Sequence, residues 1–157
     1  MIKAIHREVM EGQLHPEATG IYRQCSVYLR FSSHVPPHFS EVPGYVEQLV
    51  SKLRSMEADG SSVTVKMAYV LWAFNWVHPF ENGNGRTARL LAHLIFVRHT
   101  GNNSLSWHLE KHLGDVRNRY FDALQVADDS FANGLIDLSS LEALIFEFFD
   151  QILDQYP

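Results

Sequence analysis

Hydrophobic residues recur at helical spacing along most of the chain and predict a bundle of helices. The strongest stretch, Val65 to Val77, is apolar nearly all round, so we expect it to be the central buried helix. Every long predicted element is helical, and we therefore expect an all-α fold in a single domain over residues 1–157. The other predicted helices are Ile2 to Met10, Pro43 to the polar turn at Asp59, Leu90 to Val97, Trp107 to Leu113, Val116 to Ala127 and Leu141 to Leu153.

One segment departs from helical periodicity. Between Cys25 and Phe31, apolar and polar side chains alternate, which is a strand pattern. Ser32 to Pro37 then reads as a turn, because its two prolines disfavour a helix. We therefore expect a small β-hairpin over about residues 25–42, called the flap segment below. A single hairpin is marginally stable alone, so it is expected to rest on the helices.

Composition and charge are those of an ordinary globular protein. The 157 residues are 46% hydrophobic and 20% charged, which suits one domain with a sizeable core. A formal net charge of −5 argues against non-specific binding to nucleic acid. No apolar stretch reaches membrane-spanning length, the N-terminus has no signal-peptide pattern, and the lone Cys25 excludes an intrachain disulfide. We expect a cytoplasmic protein with no nucleic-acid or membrane partner, and secretion as an effector is the alternative.

The densest chemistry lies in residues 78–89, which read His-Pro-Phe-Glu-Asn-Gly-Asn-Gly-Arg-Thr-Ala-Arg. Pro79 restricts His78 to an extended conformation, so the central helix is expected to end there. Gly83 and Gly85 allow backbone angles that other residues avoid. Successive backbone N–H groups can then converge into a nest that binds an anion.

The helix after this loop adds positive charge to the predicted nest. It is expected to begin near Arg86, where its free N–H groups and its dipole favour an anion. Arg86 and Arg89 are three residues apart, and two guanidiniums beside a nest suit several phosphates in a row. His78, just outside, is placed to act as a general base. The alternative is a glycine-rich loop with solvated arginines, which the coincidence of loop, arginines and histidine disfavours.

These twelve residues resemble the signature of the Fic family, His-Pro-Phe-x-Asp/Glu-Gly-Asn-Gly-Arg-x-x-Arg. Every position fits except Asn82, where the family usually has a carboxylate. The resemblance covers nearly the whole chain. Its further parts are Tyr22-Arg23, Val27 to Leu29 and His34 to His38, which are similar to the family's flap, and Tyr120 to Leu124, which is similar to its downstream helix.

The resemblance implies a helical bundle with the signature between two central helices. It also implies transfer of AMP from ATP to a Ser, Thr or Tyr hydroxyl of a target protein, held by strand pairing with the flap. In that reaction His78 takes the proton of the hydroxyl, and Phe80 anchors the loop in the core. The resemblance further assigns the ATP phosphates to Gly83, Asn84, Gly85, Arg86 and Arg89, and the adenine side to Tyr120 and Asp128.

Asn82 leaves open whether the site binds a metal ion. Mg²⁺ would normally bridge the phosphates through a carboxylate at this position, and a neutral amide is a poorer ligand. One alternative function is therefore a nucleotide-binding regulatory module that has lost catalysis, although the presence of His78 argues against it. A second alternative is a Fic-type transferase that uses another phosphate-containing donor, such as UMP or phosphocholine.

Many Fic proteins carry an inhibitory helix that reads Ser/Thr-x-x-x-Glu-Gly/Asn. Its glutamate pairs with the second signature arginine, here Arg89. This chain contains only near misses: Glu11-Gly12 follows Arg7 instead of a hydroxyl residue, and Ser106 to Glu110 is followed by Lys111. We therefore expect Arg89 to have no internal glutamate partner, and removal of Glu110 to leave ATP affinity unchanged. Any restraint would come from a separate inhibitory protein or segment.

The remaining histidines are assigned no chemistry. His108 and His112 have metal-ligand spacing on one predicted helical face, but no third ligand is suggested, so we expect a surface or packing role rather than zinc. His93 shares a face with the two arginines, and we expect a core position for it rather than a place in the site. His34 and His38 flank two prolines, which is typical of turn or surface residues.

Overall fold

The computed structural model describes residues 1–29, 32–101 and 106–155. These residues form α-helices and two short 3₁₀ turns, so the predicted all-α class is confirmed. The 3₁₀ turns are Pro16–Ala18 and Phe39–Glu41. The helices are α1 (Ile2–Val9), α2 (Val42–Ala58), α3 (Val63–Val77), α4 (Asn84–Thr100), α5 (Ser106–Asp115), α6 (Arg117–Ala132) and α7 (Ser139–Gln155).

Helix α3 is the centre of the bundle, as its sequence predicts. It packs most extensively against α4 and also contacts α2, α6 and α7. Met67, Leu71 and Phe74 are fully buried on it, because neighbours cover the helix on every side. Ser62 begins the helix by accepting a hydrogen bond from the Val65 N–H at 3.2 Å. None of the described helices has the length and apolarity needed to cross a membrane.

The prediction that the central helix ends at His78 is confirmed, but the expected extended conformation of His78 is wrong. His78 lies in the left-handed region, with φ 48° and ψ 60°, and its N–H donates to the Phe74 carbonyl at 3.0 Å. Pro79 disfavours the right-handed helical region at the preceding residue, and the left-handed cap closes the last turn of α3. A non-glycine residue in this region is strained by about 1–2 kcal/mol and must be held by its surroundings.

The flap segment contains no strand in its described part, so the predicted β-hairpin is wrong. Residues 30 and 31 lie outside the described residues. The buried guanidinium of Arg23 joins the two ends of the segment: Nη1 donates to the Cys25 carbonyl at 3.1 Å and Nη2 to the Pro37 carbonyl at 2.5 Å. These carbonyls are satisfied without a strand ladder, and Pro36 and Pro37 have no N–H groups with which to build one.

Candidate functional site

One cavity of about 290 Å³ brings several of the predicted site residues together. His78, Gly85 and Arg89 line it from the signature, and Tyr120 and Asp128 line it from α6. Other parts of its wall are Tyr28, Ser32 and His34 from the flap segment and Trp72, Asn75 and Trp76 from α3. Residues far apart in sequence therefore meet around the predicted general base.

His78 is held in the protonation state and tautomer that a general base needs. Its Nδ1 lies 3.2 Å from the Asn75 carbonyl, which can only accept, so Nδ1 carries the proton and Nε2 has a lone pair. Burial lowers the pKa of His78 to about 4, against the raising effect of the Asn75 hydrogen bond. The positive charge of Arg23 and the His34 ring lower this pKa further. At neutral pH the imidazole is therefore uncharged.

Arg23 fixes the backbone of His78, a role that sequence analysis missed. Its Nε donates to the His78 carbonyl at 2.8 Å and its Nη2 to the Val77 carbonyl at 3.4 Å. The side chain is only 1% exposed, and its hydrogen-bond partners here are carbonyl oxygens of the flap segment and the end of α3. One guanidinium thus joins the flap segment to the strained backbone of His78. A buried arginine is usually paired with a carboxylate. Here the partners are backbone carbonyls, which every residue has, so no sequence pattern indicated them.

The signature loop is closed by its own side chains. The Asn84 amide accepts from the Phe80 N–H at 2.9 Å and donates to the Phe80 carbonyl at 2.7 Å. Phe80 is fully buried, with its ring between those of His6 and Phe74. The Asn84 side chain thus closes the loop with two hydrogen bonds to Phe80, and its backbone N–H at the start of α4 remains available to an anion. Gly83, with φ 78°, caps α4, which starts at Asn84 rather than near Arg86.

The two signature arginines are placed differently. Arg89 lines the cavity, and its Nη2 donates to the Glu110 carboxylate at 2.9 Å. Arg86 is half-buried and is not among the cavity-lining residues. Both lie in the first two turns of α4, where the helix dipole favours an anion. The structure therefore places Arg89 in the cavity lining and Arg86 outside it.

The ion pair with Glu110 overturns the expectation that Arg89 has no internal glutamate partner. Helix α5 packs against α4 and carries Glu110 across to the arginine. The inhibitory-helix pattern excludes this glutamate because Lys111 follows it, but spatial pairing does not depend on the next residue. The Arg89 side chain is 24% exposed and that of Glu110 57%. A pair so open to solvent is worth about 0.2–1 kcal/mol, so a phosphate can displace the carboxylate.

Asn82 is exposed, and both of its oxygens accept hydrogen bonds, one from the loop and one from α1. Its Oδ1 accepts from the Gly83 N–H at 2.7 Å, and its carbonyl accepts from His6 Nε2 at 2.9 Å. Among the described residues, no group of three or more His, Cys, Asp or Glu side chains could hold a metal ion. The residues here therefore fit Mg²⁺ poorly, because the available amide oxygen is neutral and already accepts a hydrogen bond.

The two residues assigned to the adenine side form one wall of the cavity. Tyr120 is 3% exposed, and its hydroxyl accepts from the Asn75 amide at 3.2 Å. Burial raises the pKa of Tyr120 to about 12. Asp128 Oδ1 accepts from the Trp72 indole N–H at 2.9 Å, and burial raises the pKa of this carboxyl. Asn75 contacts both His78 and Tyr120, so it links the base to this wall.

The other histidines separate clearly by position. His34 lines the cavity and its Nε2 donates to the Trp76 carbonyl at 2.8 Å, so the surface role expected for it is wrong. His38 is exposed and caps the 3₁₀ turn, as expected of a turn residue. His93 is 5% exposed, near Phe96 and away from the cavity lining. His112 bonds to the Leu144 carbonyl and Gln151, which is a packing role, and the His108 side chain lies outside the described residues.

Comparison with known proteins agrees with the signature. The model of the Fic/DOC family matches residues 1–96. The chain is 30% identical over 155 residues to a "Protein adenylyltransferase Fic" of Aedes aegypti, and the match covers 99% of this chain and 28% of that protein. A relative of the same name from Nematostella vectensis is 35% identical over 94 residues, which is 60% of this chain and 21% of that protein. The chain thus spans about a quarter of the length of these curated relatives.

Solved structures show the same fold. A Fic family protein from Desulfovibrio desulfuricans aligns with a TM-score of 0.75 at 23% identity, over 98% of this chain and 45% of that one. A Fic domain containing signaling protein from Bacteroides thetaiotaomicron aligns with a TM-score of 0.63 at 19% identity, over 94% and 56% of the two chains. At these identities the likeness concerns the fold alone.

Proposed function

The chain belongs to the Fic/DOC family, and from this premise we propose that it transfers the AMP part of ATP to a hydroxyl side chain of a target protein. The observation that carries the proposal is the neutral His78 imidazole, which has its lone pair on Nε2 and lines the same cavity as Gly85 and Arg89. The names of the curated relatives support the same activity.

In this proposal His78 removes the proton from the incoming hydroxyl. The hydroxyl oxygen forms a bond to the α-phosphorus of ATP while the bond from that phosphorus to the bridging oxygen of the β-phosphate breaks. The proton ends on Nε2, and pyrophosphate leaves with the bonding electrons. The backbone N–H groups of Asn84 and Gly85 at the N-terminus of α4 and the Arg89 and Arg86 guanidiniums stabilise the negative charge of the leaving group, while the Gly83 N–H stays bonded to Asn82 Oδ1.

The other end of the nucleotide is assigned to the wall formed by Tyr120 and Asp128. Trp72 orients the Asp128 carboxyl, and Asn75 orients the Tyr120 hydroxyl, so both polar groups have fixed directions. A nucleobase such as adenine, which offers both a hydrogen-bond donor and an acceptor, suits such a wall. The flap segment, which lines the same cavity through Tyr28 and Ser32, is the proposed site of the target's hydroxyl residue.

Two observations favour a second candidate, a nucleotide-binding regulatory module without catalysis. Asn82 supplies no carboxylate for a metal, and Glu110 occupies the Arg89 guanidinium. The signature also allows transfer of another phosphate-containing group, such as UMP or phosphocholine, in place of AMP. Incubation of the protein and a cell lysate with ATP, UTP or CDP-choline, followed by intact-mass and peptide mass spectrometry, distinguishes these functions. Added AMP supports the proposal, whereas nucleotide binding without any added mass supports the regulatory module.

We predict that Glu110→Gln tightens ATP binding about two- to fivefold, because the carboxylate that competes with phosphate for Arg89 is removed. Isothermal titration calorimetry measures the dissociation constant directly. Glu147→Gln is the matched control, since it removes an exposed ion pair with Arg119 on α6 and α7. Equal dissociation constants for the two variants would show that Glu110 does not restrain the site.

We predict weak binding of Mg²⁺ to the ATP-bound protein and a gain of about tenfold in Asn82→Asp, which adds a hard anionic oxygen beside the phosphates. Titration of Mg²⁺ against both proteins with bound ATP tests this. Asn118→Asp adds the same charge on the exposed surface of α6 and should change nothing. If Asn82→Asp behaves like that control, Glu81 or the phosphates alone hold the ion.

A further inference from the structure

His6, to which the sequence analysis gives no role, is fully buried on α1 with both ring nitrogens engaged. Its Nδ1 accepts from the Gly20 N–H at 2.8 Å, and its Nε2 lies 2.9 Å from the Asn82 carbonyl. An N–H can only donate and a carbonyl can only accept. The ring is therefore neutral, with its proton on Nε2, and it joins the chain before the flap segment to the signature loop.

Two further contacts seat the same ring against the loop. The imidazole stacks on Phe80, with ring centroids 3.7 Å apart and 14° between the planes. A Cβ at Gly83 would collide with Met10 Sδ and lie 3.2 Å from His6 Nε2. The face of α1 that carries Ile2 and His6, continued by Met10, thus fits directly beneath the turn from Phe80 to Gly83.

We infer that His6 is a positioning residue for the signature loop. By holding the Asn82 carbonyl against α1, it orients the two peptide groups that follow, so that the N–H groups of Asn84 and Gly85 are presented together at the start of α4. It acts through the loop and touches neither His78 nor the reacting atoms. The inference rests on the proposed function in that a phosphate is taken as the ligand of these N–H groups.

The contacts distinguish this role from ordinary core packing. A buried histidine with a packing role, such as His112 on α5, forms its hydrogen bonds with the helix packed against it. Its partners are the Leu144 carbonyl and Gln151 of α7. His6 instead bonds to two loop peptides, Gly20 and Asn82, on opposite sides of its ring. Burial also lowers the pKa of His6, and the charge of Arg86 lowers it further, which keeps Nδ1 available as an acceptor. Sequence spacing alone, Ile2, His6 and Met10 on one helical face, could have indicated burial but not these partners.

The test compares His6→Phe with the wild type under conditions where circular dichroism shows both to be folded. Phenylalanine keeps a ring on Phe80 and removes both hydrogen bonds, leaving the Gly20 N–H and the Asn82 carbonyl unpaired. We expect amide hydrogen exchange in residues 80–85 to accelerate about tenfold and the dissociation constant for ATP to rise about tenfold. Thr64→Val is the matched control: it removes a buried hydroxyl that bonds to Glu142, far from the loop. It should lower the melting temperature and leave both quantities unchanged.

His6→Gln keeps a donor near the position of Nε2 and should give intermediate values, which also covers the case in which His6→Phe does not fold. Exchange in residues 80–85 that matches the Thr64→Val control would overturn the inference. So would faster exchange with an unchanged ATP dissociation constant. If the wild type binds no ATP, the proposed function fails, and the exchange measurements, which need no nucleotide, still decide whether His6 holds the loop.

Discussion

The His78→Ala variant is expected to transfer AMP about 10²–10⁴-fold more slowly than the wild type while it still folds and binds ATP. In the proposed mechanism the side chain contributes only a proton acceptor, and the groups of the loop proposed to bind phosphate do not depend on it. The lone pair is on Nε2, because Nδ1 is engaged by the Asn75 carbonyl. A radiolabel-transfer or mass-spectrometric rate, together with the ATP dissociation constant from calorimetry, separates catalysis from binding.

The matched control for this substitution is His99→Ala, which removes an exposed histidine from the other end of α4. Its rate should equal that of the wild type. A His78→Ala protein with undiminished turnover would exclude His78 as the base. Loss of ATP binding together with activity would instead assign His78 a role in holding the nucleotide.

The pH dependence of the rate is part of the same expectation. With the pKa of His78 at about 4, the base stays neutral and the rate stays level from neutral pH to about pH 5, falling only near pH 4. The contribution of His78 to folding stability also falls as the pH is lowered, but for a different reason. The unfolded chain takes up the proton near pH 6.5 and the folded chain only near 4, so this group's contribution to stability is complete above 6.5 and declines as the pH falls through that window. Rates must therefore be read only where circular dichroism shows the protein to be folded.

The sequence predicted the features that depend on local pattern. The all-round apolar character of α3 predicts a central helix because burial on every side leaves no polar face. The spacing of glycines and arginines after His78 likewise predicts a turn that ends at a helix N-terminus, and α4 begins there. In the flap segment the same reasoning fails. Val27 and Leu29 are partly buried and Tyr28 is 92% exposed, so the alternation in the sequence matches an alternation in burial. It cannot predict whether the backbone pairs with another strand.

What the sequence could not predict depends on contacts between distant segments. The pair of Arg89 and Glu110 forms because α5 crosses α4, and no motif encodes that crossing. The left-handed conformation of His78 depends on a cap that Pro79 permits but does not require. His6 and Arg23 act through carbonyl and N–H groups of loops, which every residue possesses and which therefore leave no signature in the side-chain pattern.

Arg23→Ala is expected to lower the free energy of unfolding by about 3–5 kcal/mol, the largest stability effect we predict for this chain. The substitution leaves the carbonyls of Cys25, Pro37 and His78 without their donor, in a place where the wild-type side chain is 1% exposed. Arg119→Ala is the matched control, because that arginine forms an exposed ion pair with Glu147 and its loss should change the free energy of unfolding little. Urea unfolding followed by circular dichroism measures both.

Arg23→Lys separates the effect on stability from the effect on His78. Lysine keeps the positive charge but has no planar fork of donors, so it cannot reach the flap segment and the end of α3 together. At a temperature where this variant is fully folded, AMP transfer should still be at least about tenfold slower than in the wild type, because the strained backbone of His78 loses the donor at its carbonyl. ATP affinity should change little, since Arg23 does not line the cavity. A folded Arg23→Lys protein with wild-type turnover would show that the loop alone holds His78 in place, and that Arg23 contributes stability only.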